Sequence, residues 1–304
     1  MEKYRKFADE ATGNHPFLKH PLNKPSGAAK ILYFTLGLIL AIFRAIILVV
    51  LGIVNIIGGG MFLPSIILKV MGVSAKRKGD SIEGDKRLVL VNNSSPLDVM
   101  IIRVLFGESL WRVDMNSKVR SGAPGRILVS KMSGLGIFSS LTSFLPKEIA
   151  SESEKYLTIE QALNQHKTVF LFYEGARSNN HSTLLPTDDL VTDLMSAYMK
   201  QKVAVYTCRI TYTLGNVAYP ANTTNSPLGH FLSLLLNPSM SAIVKVDRLP
   251  DSALTLRSSI LPGLEKLLVP VKVSAYLARR QHKDYKEFLE YFAQTKVDDY
   301  TKDK

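Results

Sequence analysis

The chain has 304 residues, 46% of them hydrophobic and 21% charged, and its 38 Lys and Arg against 26 Asp and Glu give a formal charge of +12. That composition is globular, too apolar for disorder and too poor in Gly and Pro for a fibre. A single cysteine, Cys208, excludes an intramolecular disulfide framework and an all-cysteine zinc site. The basic balance favours polyanionic partners: nucleic acid, anionic lipid headgroups or phosphorylated small molecules.

Residues 1–30 form a polar N-terminal segment, and residues 31–68 then carry one charge, Arg44. A wholly helical run of that length would reach about 57 Å, nearly twice the roughly 30 Å hydrocarbon thickness of a bilayer. Gly58, Gly59, Gly60 and Pro64 interrupt it. Apolar residues on all faces over this length predict a membrane-embedded helical segment or hairpin over 31–73 instead of a buried core helix. Arg44 would cost at least about 2.5 kcal/mol at the bilayer centre unless it snorkels. Lys24 and Lys30 precede the block, and Lys69, Lys76, Arg77 and Lys78 follow it. Both flanks therefore prefer the cytosolic side. A hairpin meets that preference; a single span over 31–57 is the alternative.

From residue 80 to about 295 the pattern changes to short apolar strands alternating with helical stretches, which predicts an α/β domain. Leu88–Asn92 reads as a strand, followed by a helix capped by Ser95 with Pro96 and Asp98 in its first turn. Residues 127–130 read as a further strand, 153–166 as a helix and Thr168–Tyr173 as a buried strand. Thr187 caps a helix to about Met199, and strands follow over 203–210, 242–246 and 268–274. Residues 215–235 have too little periodicity to assign. Tyr285, Phe288, Leu289 and Phe292 form the stripe of a terminal helix, and 296–304 is a polar tail.

Two polar loops follow strong strands: Asn92-Asn93-Ser94-Ser95-Pro96-Leu97-Asp98 and Phe172-Tyr173-Glu174-Gly175-Ala176-Arg177-Ser178. Strand ends of this kind commonly hold α/β active sites. Arg177 suits bidentate contact with phosphate, Gly175 allows close backbone approach, and Ser178 adds a hydroxyl donor. An ordinary turn with a Glu174–Arg177 surface pair, and a plain helix cap at Ser95–Asp98, would produce the same residues. Neither loop alone identifies a reaction.

Together, behind an apolar block, the loops resemble two motifs of the glycerolipid acyltransferase family that includes lysophosphatidic acid acyltransferases. Those motifs are N-H-x-x-x-x-D and F-P-E-G-T-R-S, and the spacing of about 76 residues from Asp98 to Glu174 is similar to the family's. The opening MEKY, Ala11-Thr12-Gly13, Pro16-Phe17-Leu18 and Ser95-Pro96-Leu97-Asp98 look closest to a budding-yeast, oleoyl-CoA-using branch.

The resemblance implies an acyltransferase-like mixed sheet flanked by helices over 80–295. It implies acyl-CoA-dependent acylation of lysophosphatidic acid to phosphatidic acid, in phospholipid and triacylglycerol synthesis. No cofactor is tightly bound and no metal is needed; acyl-CoA, as oleoyl-CoA, is the donor. Lysophosphatidic acid, acyl-CoA and the membrane lipid surface are the partners, not nucleic acid, for which aromatic–basic interleaving is lacking. The likeness to the budding-yeast branch also implies an endoplasmic reticulum membrane and lipid-droplet location with the catalytic domain cytosolic.

By the same resemblance Asp98 takes the place of the residue that orients the motif histidine, while Glu174, Gly175 and Arg177 take acceptor-binding positions. Lys147 stands loosely for an arginine of the second block. Asn93 occupies the histidine's own position, and an amide accepts no proton near neutral pH, although it can donate to an oxyanion. Substitute bases are Asp98 itself, the acceptor phosphate or His181. Asn93 also leaves open a catalytically weak or inactive lipid-binding protein that organises droplets or membranes. Cys208 reads as a small core residue.

Overall fold

Leu88-Val89-Leu90-Val91 is apolar at every position, as a strand buried on both faces requires. In the computed structural model it is the middle of strand β2 (Arg87–Val91), with parallel neighbours β6 (Thr168–Phe172) and β8 (Ala204–Tyr212) on either side. The structure describes residues 6–8, 15, 28–58, 63–107, 110–114, 128–131, 156–174, 178, 182–213, 227–237, 239–268, 276–278, 287–288 and 290–291. The other strands are β1 (Val73–Gly79), β3 (Leu110–Asp114), β4 (Leu128–Lys131), β5 (Tyr156–Thr158), β7 (Ser182–Leu184), β9 (Met240–Arg248) and β10 (Tyr276–Ala278). Eight of them form one mixed sheet in the order β1-β9-β8-β2-β6-β3-β4-β5, while β7 and β10 pair separately. β9 is antiparallel to β8 but parallel to β1, and β4 is antiparallel to β3 and β5.

The period-2 alternation of the central strands sorts the core into two layers. Val89, Val91, Phe170, Phe172, Cys208 and Ile210 face helices α2 (Leu63–Val70) and α3 (Asp98–Phe106). Leu88, Leu90, Val169, Leu171 and Val205 face α4 (Ile159–Gln165), α5 (Asp188–Gln201), α7 (Asp251–Leu254) and α8 (Arg257–Leu268). The described domain is a mixed α/β sheet flanked by helices, as expected. Gly79 ends β1 at a φ of 90°, where an added Cβ would stand 2.0 Å from the Val246 carbonyl oxygen. Only glycine fits that approach to β9.

Helix α1 (Ala28–Gly58) lies against α6 (Pro227–Leu236) and α2. Gly37, Ala41, Arg44, Leu48 and Leu51 turn inward at spacings of three and four. Arg44 is buried, with its guanidinium donating to the Leu235 carbonyl at 2.9 Å and to that of Asn237. It therefore binds the end of α6 and does not face lipid, which removes the insertion cost expected for it. Nor are all faces of α1 equivalent: one packs on protein, and the other exposes Leu36, Ile39, Phe43, Ile46 and Val50. The described α1 side chains are those of 35–51 and 53, and among the described residues no helix is long and apolar enough to cross a membrane.

Several elements differ from expectation for local reasons. The helix expected over 153–166 begins only at Ile159, because Thr158 and Gln161 close a reciprocal capping box. Tyr156–Thr158 ahead of it pairs with β4. The cap at Thr187 forms, accepting the Leu190 amide, and α5 runs on to Gln201. Leu268 ends α8 and does not start a strand, while 269–274 lies outside the described residues. Within the unassigned stretch 215–235, Pro227 starts helix α6. Phe288 of the expected terminal helix is buried, edge-on to Phe7 at 5.2 Å between ring centroids, so N-terminal residues pack beside it.

Candidate functional site

Both motif loops leave the same end of the sheet, after the C-terminal ends of β2 and β6. Asn92 extends β2 with its side chain: its amide donates to the Ile210 carbonyl at 3.1 Å, and its Oδ1 accepts the Ile210 amide at 2.7 Å. This bridge to β8 replaces a backbone ladder rung and fixes the direction of the chain entering Asn93. The Asn93 main chain then clips the loops together. Its N–H donates to Glu174 Oε1 at 3.2 Å, and its carbonyl accepts the Ser178 amide at 2.8 Å and the Ser178 hydroxyl at 3.4 Å.

Asp98 begins α3 and is fully buried. Its Oδ2 accepts the amides of Ser94 at 2.6 Å and Ser95 at 2.8 Å, while its Oδ1 accepts the Tyr212 hydroxyl at 2.5 Å. The helix was expected to start at Pro96 under a Ser95 cap. Instead residues 96–97 form a turn, Ser95 Oγ accepts the Leu97 amide at 3.3 Å, and α3 starts at Asp98. The carboxylate draws the Ser94 and Ser95 amides back toward the helix, so the turn closes before the helix begins. Tyr212, at the end of β8, is a site residue that the sequence reading missed. Its only sequence signal is position: it continues the inward row of Cys208 and Ile210 at period 2 and carries a hydroxyl at the strand end. Burial and then the Asp98 charge hold the Tyr212 phenol well above its usual range, so it is a donor.

Glu174 is 1% exposed and differently served. Its Oε1 takes the Asn93 amide, while its Oε2 has no hydrogen-bond partner among the described residues. Burial pushes its carboxyl well up, with Asp98 adding to the rise; the Asn93 and Leu184 amides and the Ser178 hydroxyl oppose it. Arg209, also missed, is buried on β8 and donates to the Leu268 carbonyl at 2.8 Å. Its charge is felt by Tyr173, whose buried phenol is raised chiefly by desolvation. Cys208 lies in the apolar layer with its thiol pushed well up by burial, which suits a core residue.

The structure thus brings Asn93, Asp98, Glu174 and Ser178 together. Gly175, Arg177, Lys147 and His181 lie outside the described residues. Among the described residues no group of three or more His, Cys, Asp or Glu could hold a metal ion.

No family model matches the chain, and no curated protein matches it. Among solved structures it is similar to the crystal structure of the 1-acyl-sn-glycerophosphate (LPA) acyltransferase PlsC from Thermotoga maritima. The two share 12% sequence identity with a TM-score of 0.43, over 77% of this chain and 95% of that one. A likeness of that size assigns neither activity nor substrate.

Proposed function

We propose that the chain is a membrane-bound acyltransferase that moves an acyl group, oleoyl among others, from coenzyme A to lysophosphatidic acid and so makes phosphatidic acid. The observation that carries this reading is the clip between the loops: Asn93, Glu174 and Ser178 join the two motif segments at one end of the parallel strands. Turn residues or a lone helix cap have no need of such a joint. In this reading Asp98 holds the 92–98 turn, the Asn93 side-chain amide donates to the thioester oxyanion, and Arg177, Gly175 and Lys147 attract phosphate.

A membrane surface fits as the platform. The outward row of α1 is exposed and apolar, and Lys69, Lys76, Arg77 and Lys78 are exposed nearby in sequence. Such a helix suits burial in one lipid face with basic residues at the anionic headgroups. By the sequence resemblance alone, we place the chain at the endoplasmic reticulum membrane and lipid droplets, with the site on the cytosolic side.

The second reading, a weak or inactive lipid-binding protein, is favoured by Asn93 alone. Purified full-length protein in vesicles, given acyl-CoA and a set of lysolipids, separates the two by thiol release. Release that depends on lysophosphatidic acid supports the enzyme. Lysolipid binding without release above empty vesicles supports the binding protein.

A further inference from the structure

The transfer proposed above needs a group to accept the proton of the attacking hydroxyl, and the first loop supplies none. Asn93 is an amide. Asp98 has both oxygens engaged, by the Tyr212 hydroxyl on one side and the Ser94 and Ser95 amides on the other. With a donor on each oxygen, the carboxylate is committed to holding the turn in place. Cys208 is enclosed in the apolar layer.

Glu174 has what the others lack. Its Oε1 is anchored 3.2 Å from the amide nitrogen of Asn93, the residue at the histidine's position, and its Oε2 is buried with no partner among the described residues. A buried, unpaired carboxylate oxygen carries a desolvation cost that native structures seldom leave without purpose. The resemblance casts this residue as a binder of the acceptor phosphate, but a carboxylate repels a phosphate.

We propose that Glu174 is the proton acceptor of the acyl transfer, with Oε2 taking the hydroxyl proton; this rests on the acyltransferase reading. The acceptor oxygen attacks the thioester carbonyl carbon as its O–H bond breaks and the proton passes to Oε2. The tetrahedral adduct then collapses, the C–S bond breaks, and its electron pair leaves with sulfur. The thiolate takes the proton from Glu174, giving free coenzyme A and restoring the carboxylate. The elevated proton affinity of the buried carboxyl makes it a stronger base than a solvated one once it is ionised. Its charged and titratable neighbours are Asp98 on α3, Tyr173 beside it and Arg209 on β8. Because its acid form is favoured, activity rises with pH through a value above the ordinary carboxylate range.

The test uses the full chain in vesicles with oleoyl-CoA and lysophosphatidic acid, comparing wild type, E174Q, H181Q and N93H/E174Q across pH. E174Q should lower kcat by about 10²–10⁴-fold with little change in KM and lose the ascending pH limb. N93H/E174Q, with an imidazole at the neighbouring position, should recover turnover, which also shows that the glutamine is tolerated by the fold. A wild-type kcat in E174Q, a raised KM at constant kcat, or an ascending limb that vanishes in H181Q instead overturns the assignment. A wild type inert toward every lysolipid overturns the acyltransferase reading, and the assignment with it.

Discussion

Two carboxyls at one strand end have opposite surroundings, and each sets a measurable expectation. Asp98 is stabilised by donors on both oxygens. Removing the Tyr212 hydroxyl in Y212F leaves Oδ1 buried with one donor fewer, which should cost about 1–3 kcal/mol in urea unfolding of the detergent-solubilised protein. Glu174 is held above its ordinary 4.5, chiefly by burial, so the native state favours its neutral form. That preference contributes fully below that ordinary value, which holds in the unfolded chain, and is lost as pH rises through the folded value. Urea midpoints of wild type should therefore decline relative to E174Q as pH rises from acid toward neutral. Equal pH dependence in the two proteins would contradict a buried, underserved carboxyl. The Ser95–Asp98 contact was legible in the sequence because a capping pattern is local, although the helix starts two residues later than that pattern placed it. The Tyr212 contact was not, since it joins positions 114 residues apart that meet only when β8 lies beside β2.

Helix α1 shows what hydropathy leaves out. Apolar length announced the helix, but Arg44 read as a burden in lipid is instead the anchor of α1 to the end of α6. Its guanidinium serves two carbonyls, Leu235 and Asn237, that the helix end leaves open. R44M keeps the aliphatic stem and removes the donors. It should cost about 1–3 kcal/mol and speed amide exchange at the C-terminal turn of α6. Unchanged exchange there would contradict the anchor. α6 itself escaped the sequence reading because Pro227-Leu228-Gly229-His230-Phe231-Leu232-Ser233-Leu234-Leu235-Leu236 is apolar at nearly every position, so no stripe stands out. The central strands were found because their continuous apolar runs match strands covered on both faces. The short strand Tyr156–Thr158 was hidden inside a helical pattern that only the Thr158 cap divides.

On the scale of the molecule, the proposed function joins an apolar helix row, basic residues and a two-loop polar site in one account, that of a sheet domain acting on lipid at a bilayer surface. Replacing Ile39, Phe43, Ile46 and Val50 by aspartate should abolish flotation with anionic vesicles while leaving the α/β domain folded by circular dichroism, since these side chains face outward. Flotation equal to wild type would remove α1 as the membrane contact. The reaction has the most direct test. Purified wild-type protein in phosphatidylcholine vesicles, supplied with isotopically labelled oleoyl-CoA and lysophosphatidic acid, should yield labelled phosphatidic acid by mass spectrometry. Folded, vesicle-bound protein that forms no labelled phosphatidic acid above protein-free vesicles would contradict the acyltransferase account.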